Sequence, residues 1–186
     1  MSYVTQLLRK YTMENSNFDT ERNYISLSHV GLEEGQLIKM YREGFTDSEI
    51  IRLKCYKGYQ MEKDLLVRLK QVFGGKITTR FEKDIEITAF GGIVKGHPDF
   101  LMNGFPGDIK SVLMDDWLPL KSDIPRKVYF QIQGYMLYME KESGILVYES
   151  RESGIITDIE VKRNERVQKV IHEKLENVVR AVKMAA

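Results

Sequence analysis

The stretch Gly96–Lys110, GHPDFLMNGFPGDIK, decides the fold, because a turn signal sits at its centre and charges sit at matched positions on its flanks. Asn103-Gly104 predicts a two-residue hairpin turn, since both central positions need positive φ and these residues adopt it most readily. Pairing Met102 with Phe105 places Leu101 opposite Pro106, Phe100 opposite Gly107 and Asp99 opposite Asp108, with His97 and Lys110 as the next pair on that face. Side chains alternate along a strand, so His97, Asp99, Asp108 and Lys110 share one face of the predicted hairpin. Two carboxylates directly opposite one another repel, at a Cα separation of about 4.5 Å in a non-hydrogen-bonded pair. A hard divalent cation, Mg²⁺ or Mn²⁺, is the economical way to hold them, because such ions prefer oxygen ligands and keep several waters. Pro98 falls where the ladder requires an N–H, so a bulge or splaying is expected beside Asp99. The missing N–H of Pro106 points away from the partner strand.

Upstream of the hairpin, Thr79–Thr88 alternates, with Phe81, Ile85 and Ile87 on one face and Glu82, Asp84 and Glu86 on the other, which predicts the first strand of a half-exposed sheet. Gly91-Gly92 makes the next turn, and Ile93 is expected to begin the strand that carries Asp99. Before these, Thr46-Asp47-Ser48-Glu49 supplies capping residues for a helical pattern that runs to Phe73 and stops at Gly74-Gly75, with Gly58 a candidate break. Leu65, Leu66, Leu69 and Val72 form its buried stripe. Glu62 lies on the same side, and an acid there requires a partner or a route to solvent. Earlier still, Val4–Tyr11 has a short helical pattern, Tyr24–Leu27 reads as extended, and Ser26, Ser28 and Gly31 introduce a helix ending near Arg42.

Downstream, the connection SVLMDDWLPLKS contains Asp115, Asp116 and Trp117, an aromatic suited either to capping the core or to stacking on a base. Ser122 or Asp123 is the expected cap of the following helix, with Pro125 in its first turn. Gln131 and Tyr135, four residues apart, share a helix face that Tyr138 continues. Lys121, Arg126 and Lys127 cluster near the helix start, where a phosphate would meet basic side chains and backbone N–H groups. Ile145–Tyr148 and Ile155–Val161 predict two strands. A last helix is capped near Asn164, with Val167, Val170, Ile171, Leu175, Val178, Val179 and Val182 as its stripe and His172 off it.

Pro98-Asp99, eight residues, then Asp108-Ile109-Lys110 resembles the motif of the PD-(D/E)xK nucleases, with Asp as the second acid. Gln131 and Tyr135 match the Q-x-x-x-Y motif of the RecB-type branch, which includes the CRISPR-associated adaptation exonucleases. By motif order and spacing the resemblance spans roughly residues 58 to 160. It implies an α/β domain of the restriction-endonuclease-like kind, a mixed central sheet flanked by helices. It also implies that Asp99, Asp108, the backbone carbonyl of Ile109 and Glu62, through a G-x-x-x-E arrangement with Gly58, hold Mg²⁺ or Mn²⁺. Lys110 would act on the attacking water or on transition-state charge, and Gln131 and Tyr135 would position substrate or water. His97 is a further metal-ligand candidate. A serine and helix near residues 26–42 would line a DNA channel, although a capped surface helix explains the same residues.

The composition suits one globular domain of residues 1–186, with a helical part over 1–45 and the core over 46–186. The single cysteine, Cys55, excludes an internal disulfide and a four-cysteine iron–sulfur cluster of the type that many relatives carry. No run approaches the roughly 20 apolar residues of a membrane span and no signal-peptide pattern opens the chain, so a cytoplasmic location is the default expectation. Lysine and arginine total 28 against 27 acids, which excludes a global basic pull on nucleic acid and leaves attraction to local charge. The function expected is metal-dependent hydrolysis of DNA phosphodiesters, exonucleolytic by resemblance, in processing, repair or recombination, with DNA ends as partner and a helicase or recombination protein as a further candidate. The alternatives are a catalytically silent nuclease-fold binder of nucleic acid or of a recombination partner, and a hydrolase of small phosphorylated compounds.

Overall fold

The computed structural model describes residues 23–43, 49–112 and 124–184, with the side chains of 49–55 and 57 outside the description. The helical pattern at Val4–Tyr11, the capping residues Thr46–Ser48, the Cys55 side chain, Asp115, Asp116, Trp117, Lys121, Ser122 and Asp123 therefore lie outside the described residues.

Two mixed sheets are flanked by helices, as expected of a restriction-endonuclease-like α/β fold. The larger joins β2 (Ile77–Thr79), β5 (Phe100–Met102), β6 (Phe105–Val112), β7 (Ser143–Ser150) and β8 (Ile156–Lys162) in the order β2-β5-β6-β7-β8. All neighbours in it run antiparallel except β6 and β7. Helix α3 (Arg126–Met139) lies between those two parallel strands in sequence. The smaller sheet orders β1 (Ile25–Ser26), β4 (Val94–Gly96) and β3 (Ile87–Ala89), with β1 and β4 parallel.

The hairpin forms in the expected register, with Met102, Leu101 and Phe100 opposite Phe105, Pro106 and Gly107. Asn103 and Gly104 take φ of 51° and 82°, the left-handed values this turn requires. Gly107 is needed for a second reason. The ring of Phe100 lies across it, and a Cβ on residue 107 would fall 2.1 Å from that ring.

The strand readings before the hairpin require correction. Thr79–Thr88 is not one strand: β2 stops at Thr79, and the Glu82 carboxylate accepts from both the Thr79 N–H (2.9 Å) and its hydroxyl (3.1 Å), closing a turn. Phe81 is consequently exposed, while Ile85 and Ile87 are buried. The strand expected to run from Ile93 through Asp99 is likewise split. Its first half, β4, belongs to the small sheet, and the next strand, β5, to the large one, with His97, Pro98 and Asp99 between. Proline cannot donate to a ladder, so the pairing cannot pass through this point.

Helix α2 (Glu49–Phe73) runs unbroken through Gly58, so the glycine's propensity cost of about 1 kcal/mol is not enough to divide it. Leu65 and Leu66 are fully buried, but Val72 is 75% exposed where the helix runs past its apolar support. Helix α1 (Glu34–Glu43) begins later than Ser26 and Ser28 suggested, because Ser26 caps a short 3₁₀ turn, Leu27–His29, instead. Pro125, expected in the first turn of α3, occupies its N-cap. Helix α4 (Glu165–Lys183) is capped by the Asn164 side chain, which accepts from the Val167 N–H at 3.2 Å. Its stripe is buried from Ile171 to Val182, whereas Val170 is half exposed. His172 is exposed and stacks on Phe90.

Two cores result, one on each face of the large sheet. Leu146 and Tyr148 of β7 join the cluster formed with α1, α3 and α4, while Val147 between them joins Leu65, Leu66, Ile77, Phe100 and Ile109 under α2. That alternation is the period-two geometry of a strand buried on both sides. No helix among the described residues is long and apolar enough to cross a membrane.

Candidate active site

Asp108 and Lys110 stand on β6 with one residue between them, so both side chains leave the sheet on the face that meets α3, opposite to Ile109. Asp99 precedes β5 and lies outside the ladder. Its N–H donates to the Gly107 carbonyl at 2.9 Å, although Gly107 is already the register partner of Phe100. Two residues thus oppose one, the irregularity expected beside Pro98. The consequence is chemical. The Ile109 N–H, which a regular ladder would send to Pro98, donates instead to Asp99 Oδ2 at 2.7 Å. Since N–H and C=O of one strand residue point along the same edge, the Ile109 carbonyl faces the same gap.

Helix α3 supplies the support. Gln131 Nε2 donates to Asp108 Oδ1 (2.8 Å) and to the Tyr135 hydroxyl (2.8 Å), and Gln131 Oε1 accepts from Lys110 Nζ (3.2 Å). The Tyr135 hydroxyl donates in turn to the His97 carbonyl at 3.2 Å. Gln131 and Tyr135 are buried, and the amide is used at both ends, so its orientation is set by the network. The i, i+4 spacing therefore places one side chain on the acid and lysine and the other on the backbone beside Asp99.

His97 departs from expectation. Its imidazole lines the cleft but stands at the rim against Glu86 Oε2 (3.4 Å) and edge-on to Tyr24, and only its backbone carbonyl joins the Asp108 network. Burial lowers its pKa, against the opposing pull of Asp84 and Glu86. Glu62 does reach the site from α2. Between it and Asp99 lies Arg80, a residue that no motif marked: one guanidinium nitrogen is 2.5 Å from Glu62 Oε1 and another 3.3 Å from Asp99 Oδ1. The signal available in sequence is two crowded acids needing a counter-charge, but the arginine comes from a turn inside a stretch whose alternation predicts strand. Tyr24, Ser26 and Ser28 complete a cleft of about 290 Å³ with these groups.

Charge in the cleft is crowded. Burial pushes the Glu62 carboxyl up to about 7, with Asp108 adding to the rise and Arg80 opposing it. Burial also lifts Asp99 well above the usual carboxylate range, helped by Asp108 and Glu62. Burial alone would depress Lys110, but Asp108 and Asp99 outweigh it, so its pKa is raised and the ammonium persists, 2.5 Å from Asp108 Oδ2. Tyr135 is raised by burial and then by the two aspartates, so it remains a neutral hydroxyl.

The donor set suits a hard cation: three carboxylates and a strand carbonyl, all oxygen. Two buried oxygens, Glu62 Oε1 and Asp108 Oδ2, touch a cationic nitrogen without making an aligned hydrogen bond. Among the described residues no three acidic, histidine or cysteine side chains converge as they stand on one metal position, and the Arg80 guanidinium contacts both Glu62 and Asp99.

No family model matches the chain, and no curated protein matches it in sequence. Solved structures do match in fold. An alkaline exonuclease, LHK-Exo from Laribacter hongkongensis, superposes with a TM-score of 0.64 at 13% identity, over 90% of this chain and 92% of its own. LHK-Exo has also been solved in complex with dAMP. A phage related exonuclease from Haemophilus somnus 129PT gives 0.58 at 10% identity, over 88% and 96%. The protein SSO0001 gives 0.58 at 19% identity, over 94% and 87%. At these identities the likeness is one of fold.

Proposed function

We propose that this chain is a divalent-metal-dependent deoxyribonuclease of the PD-(D/E)xK type with the Q-x-x-x-Y arrangement, acting on DNA ends in processing, repair or recombination, with residues 1–186 working as one unit. The observation that carries the proposal is the buried constellation of Asp99, Asp108 and Lys110, locked by Gln131 and Tyr135 and faced by Glu62. The exonuclease folds that superpose on the chain, one of them solved with a deoxynucleotide, support DNA as the substrate and an end-directed mode.

Asp99, Asp108 and the Ile109 carbonyl would hold Mg²⁺ or Mn²⁺, with Glu62 joining once Arg80 withdraws from it. Such an ion supplies Lewis acidity and an acidified water. The protein's own groups do the rest. Asp99 is oriented by the Ile109 N–H, and Asp108 by the Gln131 amide, so neither carboxylate spends reorganisation when substrate arrives. Lys110, held by Gln131 Oε1 beside Asp108, would orient the attacking water or stabilise charge on the phosphate as it develops. Gln131 and Tyr135 are positioning residues, since their hydrogen bonds are spent on Asp108, Lys110 and the His97 carbonyl.

Cleavage of end-labelled linear single- and double-stranded DNA, in Mg²⁺, Mn²⁺ or EDTA, tests the reading. Progressive shortening that needs the metal and falls on the order of 10²–10³-fold or more in Lys110→Ala and Asp108→Ala is expected. Intact substrates in both metals, or variants that cut like the native chain, would sink it.

A further inference from the structure

Beside the carboxylates lies a feature that the proposed chemistry does not use. Tyr59, on α2, and Phe81, in the turn after β2, are 40% and 44% exposed. Their rings meet edge to face, with centroids 5.9 Å apart and planes at 77°. Both hold the same cation: the Arg80 guanidinium carbon is 5.5 Å from the Tyr59 centroid and 5.3 Å from the Phe81 centroid. The nitrogens of that guanidinium contact Glu62 and Asp99. A single guanidinium therefore separates two exposed rings from the carboxylates.

Large apolar side chains are exposed elsewhere too, among them Val67, Val72, Ile155 and Ile156 on the surface. Phe73 and Phe105 are exposed aromatics as well, and what sets Tyr59 and Phe81 apart is the guanidinium they share with Glu62 and Asp99. Shielding Arg80 would need only apolar bulk. An edge-to-face pair differs in leaving π-surface open, and π-surface is what an unstacked base requires. Stacking on an aromatic contributes about 1–3 kcal/mol per base irrespective of sequence. A base in a duplex already has its neighbours and gains nothing there. A phosphodiester that reaches Asp99, Asp108 and Lys110 carries a base one nucleotide away, and Arg80 lies between the two positions.

We propose that Tyr59 and Phe81 form a stacking subsite for an unpaired nucleobase adjacent to the scissile phosphate, which makes single-stranded DNA or a frayed end the substrate class of this site. The inference rests on the nuclease reading above. It assigns the two rings to substrate selection and none of the bond-breaking.

The test uses the full chain with Ca²⁺ and a phosphorothioate oligonucleotide, carrying 2-aminopurine at its terminal or a central position and fluorescein at the far end. Terminal 2-aminopurine fluorescence should change on binding in the native chain and in Tyr59→Phe and Phe81→Tyr, which keep the rings. The Tyr59→Leu/Phe81→Leu double variant keeps apolar bulk without π-surface. It should lose that change, bind single strands roughly 5- to 100-fold more weakly by fluorescein anisotropy, and in Mg²⁺ show raised KM with kcat little altered. Both positions are on the surface, so melting within a few degrees of the native chain is expected. A double variant with the native fluorescence response and affinity overturns the stacking subsite and leaves the nuclease reading intact. Flat anisotropy for the native chain with every DNA in both ions fails the two together.

Discussion

Two concavities border the β5–β6 hairpin, and the larger is the more apolar. A groove of about 530 Å³ is lined by Leu69, Phe73, Phe100, Met102, Ile145, Val147 and Ile156, with Lys76, Asn103 and Asp158 as its polar members. The carboxylate cleft has roughly half that space, about 290 Å³, yet holds Glu62, Asp99, Asp108, Lys110 and Arg80. In the groove, side chains sit as sheet and helix packing leave them. In the cleft, burial and like charge have moved Glu62 to about 7 and lifted Asp99 well above the usual carboxylate range, and a buried amide is spent on orienting an acid and a lysine. Free energy held in crowded charge, and not empty volume, marks the candidate site.

Phe100 links the two, lining the groove while its ring covers Gly107, whose carbonyl accepts from the Asp99 N–H in the cleft. Gly107→Ala would therefore damage both at once. A methyl 2.1 Å from the ring must displace it, a loss of about 3 kcal/mol in a core without slack, read as a fall in Tm together with lost cleavage. An unchanged Tm would show that the ring can move freely, and the comparison of two rigid walls would fail.

A smaller effect separates them by pH. The folded pKa of Glu62 lies above its ordinary value of 4.5, at about 7, so between those values the unfolded chain has ionised while the folded one holds its proton. Stability from this group is full below about 4.5 and is lost as pH rises through about 7. In EDTA the native chain should lose ~1–3 kcal/mol from Glu62 between pH 4.5 and 8. Glu62→Gln should flatten that part of the curve in denaturant melts, and a variant as steep as the native chain would show that Glu62 is not the crowded acid. The least effect belongs to the groove. Ile156→Thr, at a position 42% exposed, should change stability by no more than about 0.5 kcal/mol and cleavage not at all. A loss of cleavage there would mean that the groove takes part in the reaction.

Much of the site was legible because it is local. The turn residues set the register, the register put Asp108 and Lys110 on one face, and four-residue helical spacing put Gln131 and Tyr135 on another. Pro98 announced the break beside Asp99 for the same reason, since a missing N–H is a property of one residue. Thr79–Thr88 misled because its alternation is real. Period two records which side chains are apolar, but not whether the backbone continues in one sheet, and here a glutamate closing on Thr79 ended the strand.

The amino-acid sequence by itself determined the hairpin, its register, Asp108 and Lys110 on one strand face, the helix face shared by Gln131 and Tyr135, the turn at Asn103-Gly104 and the cap at Asn164, all of which depend on neighbours within a few residues. Tertiary structure alone decided that the strand before Asp99 would be divided between two sheets, that His97 would turn to Glu86, and that Arg80 would stand between Glu62 and Asp99 over a pair of aromatic rings. Those outcomes depend on which elements meet across the chain, and long-range charge and packing, which no local period encodes, choose among them.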